Sequence, residues 1–190
     1  MDREEYNTKY RGGLNYSQLN IFNEMRMLWE QHIFWTRSFI ISAVDNLEDL
    51  EYVTARLLRN PSDFAGILQY YYGREKAMRF KTLLEDHLKI AAEITNFAKQ
   101  GDAKAVEQYS KLWYANADDI AEFFSEINPY WDESLWRDML YDHLRMVENE
   151  LNTRMNKDYK ENVASFDMME AQALNMADVM ASGLIQQFRI

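Results

Sequence analysis

The sequence predicts an all-α protein, a helical bundle of three repeated α-hairpins with about six main helices in ferritin-like or related up-and-down packing. Apolar residues recur at steps of three and four along most of the chain, and no stretch shows the alternation of a strand. Two prolines and six glycines in 190 residues are too few for the many turns of a β fold. Three histidines, His32, His87 and His143, recur at intervals that are equal to within one residue, which indicates an internal repeat.

Each repeat is predicted to be an outgoing helix, a turn and a returning helix, and the repeats cover about residues 22–73, 78–129 and 133–188. They form a single domain of residues 16–190, preceded by a polar and flexible arm, residues 1–15. The predicted turns lie at residues 45–46, 100–102 and 156–158. The first returning helix is expected to run from about Leu47 towards Arg59, to break at Asn60-Pro61 and to resume as a short helix that ends near Tyr72-Gly73. The second stops at Asn128-Pro129, and the third runs to about Gln187.

Charge and composition exclude several classes of function. A net charge of −10 without a cluster of lysine or arginine argues against binding to nucleic acid or to anionic membrane surfaces. The absence of cysteine excludes disulfides, zinc knuckles and cysteine nucleophiles. No apolar stretch approaches the roughly 20 residues that span a bilayer, and the first residues lack the pattern of a signal peptide. We therefore expect a cytoplasmic protein.

The three histidines are predicted to share one buried layer. Each lies 14 residues before its turn, so all three stand at the same height, about 21 Å from the same end of the bundle. The residues four before and three after each histidine are apolar, which places the imidazoles on the core face of their helices.

Carboxylates are expected close to this layer. An Asn-x-x-Asp pattern follows each histidine by a similar interval and ends at Asp63, Asp119 and Asp178. Glu150 lies two helical turns after His143, where the other repeats have apolar residues. One buried acid that breaks the apolar rule is what a single specialised site would leave behind.

Two interpretations of this layer stay open. Imidazoles from separate helices, supplemented by carboxylates, bind Zn, Fe or Mn inside helical bundles, so His32, His87, His143, Glu150 and the three aspartates are candidate ligands or their outer hydrogen-bond partners. The alternative is a structural network, in which a copied hairpin brings its histidine and aspartate with it. Asn60-Pro61 also has a local explanation as a helix start, with asparagine as N-cap.

Other chemistry has little support in the sequence. The di-iron pattern Glu-x-x-His is absent, because Trp29, Leu84 and Leu140 stand three residues before the histidines. No glycine-rich phosphate loop is present, so no nucleotide cofactor is indicated. No catalytic serine–histidine–acid set can be recognised. An enzyme that acts on a small molecule in the central cavity remains a third possibility.

Two aromatic clusters stand at the junctions between repeats, one at Tyr70–Tyr72 and one at Tyr130–Trp136. Such clusters either staple helices together or form a surface for a protein partner or a second copy of the chain. The second possibility is a non-catalytic interaction protein, with the histidine layer purely structural.

The stretch Met27-Leu28-Trp29-Glu30-Gln31-His32-Ile33-Phe34-Trp35 and the succession of helices from about Ser17 resemble an uncharacterised bacterial family of all-helical proteins. Members are sometimes described as acetylglutamate kinases, but such a kinase needs an α/β fold and a glycine-rich phosphate site, and neither is visible in this sequence. A looser resemblance is to ferritin-like, histidine-bearing bundles, some of which hold metal. That resemblance implies a metal role for His32, His87, His143 and Glu150.

Overall fold

The computed structural model describes residues 13–190, and these are helical almost throughout, with no strand among them. The helices are α1 (Tyr16–Asp45), α2 (Leu50–Leu57), α3 (Asn60–Gln100), α4 (Ala103–Ile127), α5 (Glu133–Met155) and α6 (Tyr159–Phe188). The all-α prediction is confirmed. Most of the predicted flexible arm, residues 1–15, lies outside the described residues.

The turns lie where the sequence predicts them. Asn46 and Gly101 adopt the left-handed conformation that ends helices α1 and α3, and Lys157 has a φ of 59° between α5 and α6. Helix α4 ends at Ile127, directly before Asn128-Pro129. Helix α2 is shorter than predicted, since it covers Leu50–Leu57 and not the whole span from Leu47 to Arg59.

Gly73 divides α3 into two helices that follow one another without a loop. Its φ of 78° and ψ of 170° lie in a region that is essentially restricted to glycine. The predicted helix end near Tyr72-Gly73 is therefore a sharp kink, and the second histidine-bearing helix starts immediately after it. A single residue of permissive backbone replaces the expected linker.

The five long helices pack in a closed order around a shared core. Helix α1 packs along α6, α6 along α5, α5 along α4, α4 along α3, and α3 returns to α1, which also contacts α5 across the core. Helices α1 and α6 run antiparallel, because the side chain of Gln18 donates to the carbonyl of Ile190 and Arg26 pairs with Asp178. This arrangement brings the helices with the three histidines to the centre.

The aromatic clusters are partly buried, so fewer of their residues are available to a protein partner than predicted. Trp131 and Trp136 are buried in the core, and the hydroxyl of Tyr72 accepts from Asn128 and donates to Gln187. Of these clusters, Tyr70 and Tyr130 remain exposed, so a partner surface remains a prediction for those two residues. Within residues 13–190, no helix has a stretch of the length and hydropathy needed to cross a bilayer.

Candidate functional site: a buried histidine layer

The three histidines meet in the centre of the bundle. The imidazole of His32 has its centroid 6.4 Å from that of His87 and 5.5 Å from that of His143. Each of the three side chains is at most 3% exposed. The apolar residues one turn before and after each histidine therefore orient the three imidazoles as the sequence pattern predicts.

Asn60 fixes the orientation and tautomer of His32. Its amide Nδ2 donates to the carbonyl of Leu28 at 3.1 Å, which leaves the amide oxygen facing Nδ1 of His32, also at 3.1 Å. Because an amide oxygen can only accept, Nδ1 of the imidazole must carry the proton. Nε2 then holds a free lone pair. The explanation of Asn60 as an N-cap is wrong, since this side chain is fully buried and bonded across to α1.

The second repeat has the same arrangement. The amide of Asn116 donates to the carbonyl of Leu83 at 3.1 Å and accepts from Nδ1 of His87 at 2.9 Å. In both repeats the carbonyl acceptor belongs to the residue four before the histidine. One carboxamide therefore joins two neighbouring helices and sets the tautomer of an imidazole.

In the third repeat the carboxamide comes from Gln172. Its Nε2 donates to the carbonyl of Met139 at 2.8 Å, and Met139 again stands four residues before the histidine. Nδ1 of His143 and Oε1 of Gln172 are both buried, and neither has a hydrogen-bond partner in the described residues. An imidazole Nδ1–H can donate to an amide oxygen, so the two atoms are suited to each other as donor and acceptor. The Gln172 amide raises the pKa of His143, whereas burial lowers it by more. Asn175, which the sequence pattern selects, is exposed.

Burial keeps all three imidazoles neutral at physiological pH. It lowers the pKa of His32 to about 4 and that of His87 to about 3, and the pKa of His143 falls well below its ordinary value. The cause is that an imidazolium would lose its hydration in an apolar core, and each charged ring would repel the other two. Neutral imidazole is the form that binds metal ions.

The three rings line a small cavity together with apolar and aromatic side chains. Its empty space, including its opening, is about 280 Å³, and Trp29, Phe80, Phe124 and Leu140 contribute to its wall. In the described residues, the hydrogen bonds of His32 and His87 involve Nδ1, not Nε2. Nε1 of Trp29 is buried and has no partner in this part of the chain. The cavity thus combines an apolar wall with several unpaired polar atoms.

The aspartates of the predicted set have other partners. Asp63 pairs with Arg59 at 3.1 Å, Asp178 pairs with Arg26 at 2.6 Å, and Asp119 is exposed. The partner of the imidazole is the first residue of the Asn-x-x-Asp pattern in two repeats, and not its aspartate. We therefore leave the three aspartates out of the site.

Glu150 is buried, as the break in the apolar pattern predicts, but it faces a cation. Its Oε1 accepts from Arg37 at 2.6 Å, and the guanidinium of Arg37 also donates to the side chain and the carbonyl of Asn162. Burial raises the pKa of Glu150 to about 7, against the opposing effect of Arg37. Seven residues of helix separate Glu150 from His143 by about 10 Å along the axis. Its assignment as a metal ligand is corrected to an ion pair that joins α1, α5 and α6.

The carboxamides are the part of the site that sequence reasoning missed. Asn60, Asn116 and Gln172 follow their histidines at intervals that are equal to within one residue. They also stand as far after their turns as the histidines stand before them, again to within one residue, so each pair lies at one height. Counting residues from the turns could have identified Gln172, whereas the search for a repeated asparagine pointed to Asn175.

The hydrogen bonds of His32 and His87 leave two Nε2 lone pairs in this layer, but the layer is not preformed as a metal centre. Among residues 13–190, no group of three or more histidine, aspartate, glutamate or cysteine side chains is placed to hold a metal ion as it stands. Comparisons with protein-family models, with curated proteins and with solved structures found no match to this chain.

Proposed function

We propose that the protein binds one divalent transition metal ion, Zn, Fe or Mn, through Nε2 of His32, His87 and His143. The observation that supports this most directly is the pair of carboxamides of Asn60 and Asn116, which hold Nδ1 of His32 and His87 and leave Nε2 of both rings with its lone pair. Outer hydrogen-bond partners that fix the tautomer in this way are a regular feature of histidine metal sites. A neutral three-histidine site with an open fourth position is a known arrangement for zinc.

The distances between the rings are compatible with a small closing movement. Three imidazoles bound to one ion at about 2.1 Å in tetrahedral geometry have ring centroids about 5 Å apart. The observed separations from His32 are 6.4 and 5.5 Å. An approach of about 1 Å between the rings of His32 and His87 would bring their centroids close to the separation of such a site.

The proposal includes the repeat architecture. Three hairpins that each supply one histidine and one carboxamide account for the recurring contact to the carbonyl four residues before the histidine. The first hairpin pairs α1 with α2 and the start of α3, the second pairs the rest of α3 with α4, and the third pairs α5 with α6. We regard the ferritin-like likeness as one of bundle packing, without the glutamate ligands of that class.

A structural role is the second candidate, and one observation favours it. Two of the three imidazoles already have a satisfied Nδ1 with near-ideal distances, so the network joins neighbouring helices without any guest. Such a layer would fix the register of the helices. It would leave the Nε2 atoms and the indole of Trp29 to a trapped water molecule.

The two functions are separated by titration of the metal-free protein with Co²⁺ and Zn²⁺, followed by absorption and by competition with a chromophoric chelator. Metal binding predicts one saturable site with the intense visible bands of low-coordinate Co²⁺. His87→Phe should remove it, and Asn116→Ala should weaken it by about 10- to 100-fold, as expected for an outer partner. Asp119→Asn is the matched control one turn away and should bind as the wild type does. Absence of a saturable site in the folded wild type contradicts the proposal.

A further inference from the structure

An open groove lies between α1 and the first part of α3, in the half of the bundle where α1 begins. Its volume is about 340 Å³, and it is lined by Glu24, Gly66, Ile67, Tyr70 and Tyr71. Pockets of this size accommodate small organic molecules. The groove shares no residue with the histidine layer, since Glu24 lies about 12 Å along the axis of α1 from His32.

Two tyrosine rings form the aromatic part of the groove. The centroids of Tyr70 and Tyr71 are 5.0 Å apart, and the planes of the two rings are nearly perpendicular, at 87°. Tyr71 is half-buried and also packs on Phe188, with centroids 5.1 Å apart. Tyr70 is 84% exposed, so its ring contributes little to the core and is available to a guest.

Glu24 places a negative charge beside these rings. Burial raises the pKa of Tyr71, and the nearby carboxylate of Glu24 raises it further, because the carboxylate would repel a phenolate. No lysine or arginine is among the residues that line the groove, and none of the ion pairs within residues 13–190 includes Glu24. The groove therefore combines aromatic rings with a carboxylate whose charge is not compensated by a neighbouring cation.

Gly66 keeps the groove open. It lies in helix α3, where glycine is less favourable than alanine. Its φ is not positive, and no atom lies within 4 Å of the position that a Cβ would take, so neither the backbone nor the packing requires glycine. What the missing side chain provides is space in the groove.

We propose that this groove binds a small organic cation of the quaternary ammonium class. Such a cation is attracted both to aromatic rings and to a carboxylate, and its methyl groups can pack on the apolar surface of Ile67. An anion would be repelled by Glu24, and a neutral molecule would gain nothing from its charge. The net charge of −10 also favours the approach of a cation. This inference is independent of metal binding.

The test compares choline with 3,3-dimethylbutan-1-ol, which has the same shape and the same hydroxyl group but a carbon atom in place of the charged nitrogen. Each compound is titrated into the full chain, and the backbone amide signal of Gly66 is followed by ¹H–¹⁵N NMR. Choline should bind at one saturable site with a Kd of about 1–10 mM, as expected for a small ligand at an exposed aromatic site. The alcohol should bind at least about tenfold more weakly, because it lacks the charge.

Variants of the exposed lining residues complete the experiment. Glu24→Gln and Tyr70→Ala should each weaken the binding of choline by about three- to tenfold, and Gly66→Leu should abolish it by filling the groove. The matched controls are Glu51→Gln and Tyr52→Ala on α2, which change an exposed carboxylate and an exposed ring outside the groove and should bind choline as the wild type does. Three results overturn the proposal: no saturable binding of choline to the folded wild type, equal affinity for the neutral alcohol, or unchanged affinity in Glu24→Gln or Tyr70→Ala.

Discussion

Gln172 takes the place in the third repeat that asparagine takes in the other two, and it faces His143. The extra methylene of glutamine lets the amide reach the carbonyl of Met139 at 2.8 Å, whereas Nδ1 of His143 has no hydrogen-bond partner within residues 13–190. Gln172 follows His143 at the same interval at which Asn116 follows His87. The three histidines thus have in common a carboxamide at the same interval along the chain, and not one residue type.

Replacing Gln172 by methionine should destabilise the protein by about 1–3 kcal/mol. The change keeps the volume of the side chain but removes the hydrogen bond to the carbonyl of Met139 and the polar amide next to His143. Urea unfolding at pH 7.5 measures the effect. The control is Asn175→Ala on the same helix, which should stay within about 0.5 kcal/mol of the wild type because Asn175 is exposed. A larger loss of stability on replacing Asn175 than on replacing Gln172 would instead support Asn175, the residue that the Asn-x-x-Asp pattern selects, as the partner of His143.

The metal-free protein should lose stability as the pH falls below 6.5. The unfolded histidines take up protons there, whereas burial holds the pKa of His32 at about 4 and that of His87 at about 3. Each depressed group lowers the free energy of unfolding by about 1.4 kcal/mol per pH unit between its two pKa values, and contributes no pH dependence above 6.5.

His87→Phe isolates this effect. Between pH 6.5 and 4.5 the free energy of unfolding of the variant, measured in EDTA by urea denaturation, should fall less steeply than that of the wild type by about 1.4 kcal/mol per pH unit. The carboxylates titrate alike in both proteins, so their contribution cancels. Equal slopes for the two proteins would show that His87 takes up its proton at the same pH in the folded and the unfolded state.

Glu150→Gln should leave the affinity for metal unchanged, because the Glu150 carboxylate is bonded to Arg37 and not to an imidazole. The same variant should alter the pH dependence of folding. Burial raises the pKa of Glu150 to about 7, so the wild type loses stability as the pH rises from 4.5 to 7, and glutamine cannot. The stability of the variant relative to the wild type should thus improve over that range, by about 1.4 kcal/mol per pH unit.

Competitive metal titration and urea unfolding at four pH values check both statements for Glu150. A loss of metal affinity of tenfold or more would return Glu150 to the ligand set. A variant whose stability follows the wild type in parallel from pH 4.5 to 7 would mean that Glu150 ionises normally beside Arg37.

Gly183→Ala should destabilise the protein by about 1–3 kcal/mol. A Cβ at this position would overlap Nε1 and Cδ1 of Trp131, a rigid ring that is 1% exposed and donates to the carbonyl of Met180 at 3.3 Å. The matched control is Gly66→Ala, where nothing lies within 4 Å of the new Cβ. In that exposed helix alanine should stabilise by about 0.5–1 kcal/mol. Thermal unfolding of both variants measures the two changes in stability. If Gly183→Ala also stabilised the protein, the predicted clash with Trp131 would be wrong.

Much of the fold follows from the sequence because its causes are local. The apolar stripes fix which face of each helix is buried, and Asn46, Gly101 and Asn128-Pro129 end helices through their own backbone preferences. The kink at Gly73 is also local, but a sequence pattern does not distinguish a kink from a loop. Both would place a glycine between two helical stretches.

The histidine layer was predictable in its position and not in its partners. The heights of the imidazoles follow from counting residues along helices of known rise. The choice between Asn60 and Asp63 depends on how far the returning helix is rotated, and a rotation of about 100° per residue cannot be read from a count alone. Glu150 was recognised as a buried acid, but its partner Arg37 comes from another helix 113 residues away.

The most direct test of the central claim is elemental analysis of the untagged protein, as purified and again after incubation with Zn²⁺, Fe²⁺ or Mn²⁺ and extensive buffer exchange. The account predicts close to one metal ion per chain, lost when His32, His87 and His143 are replaced together by phenylalanine in a variant that still folds. A clean protein that retains no metal after any of these incubations, or a folded triple variant that retains it, would contradict the claim.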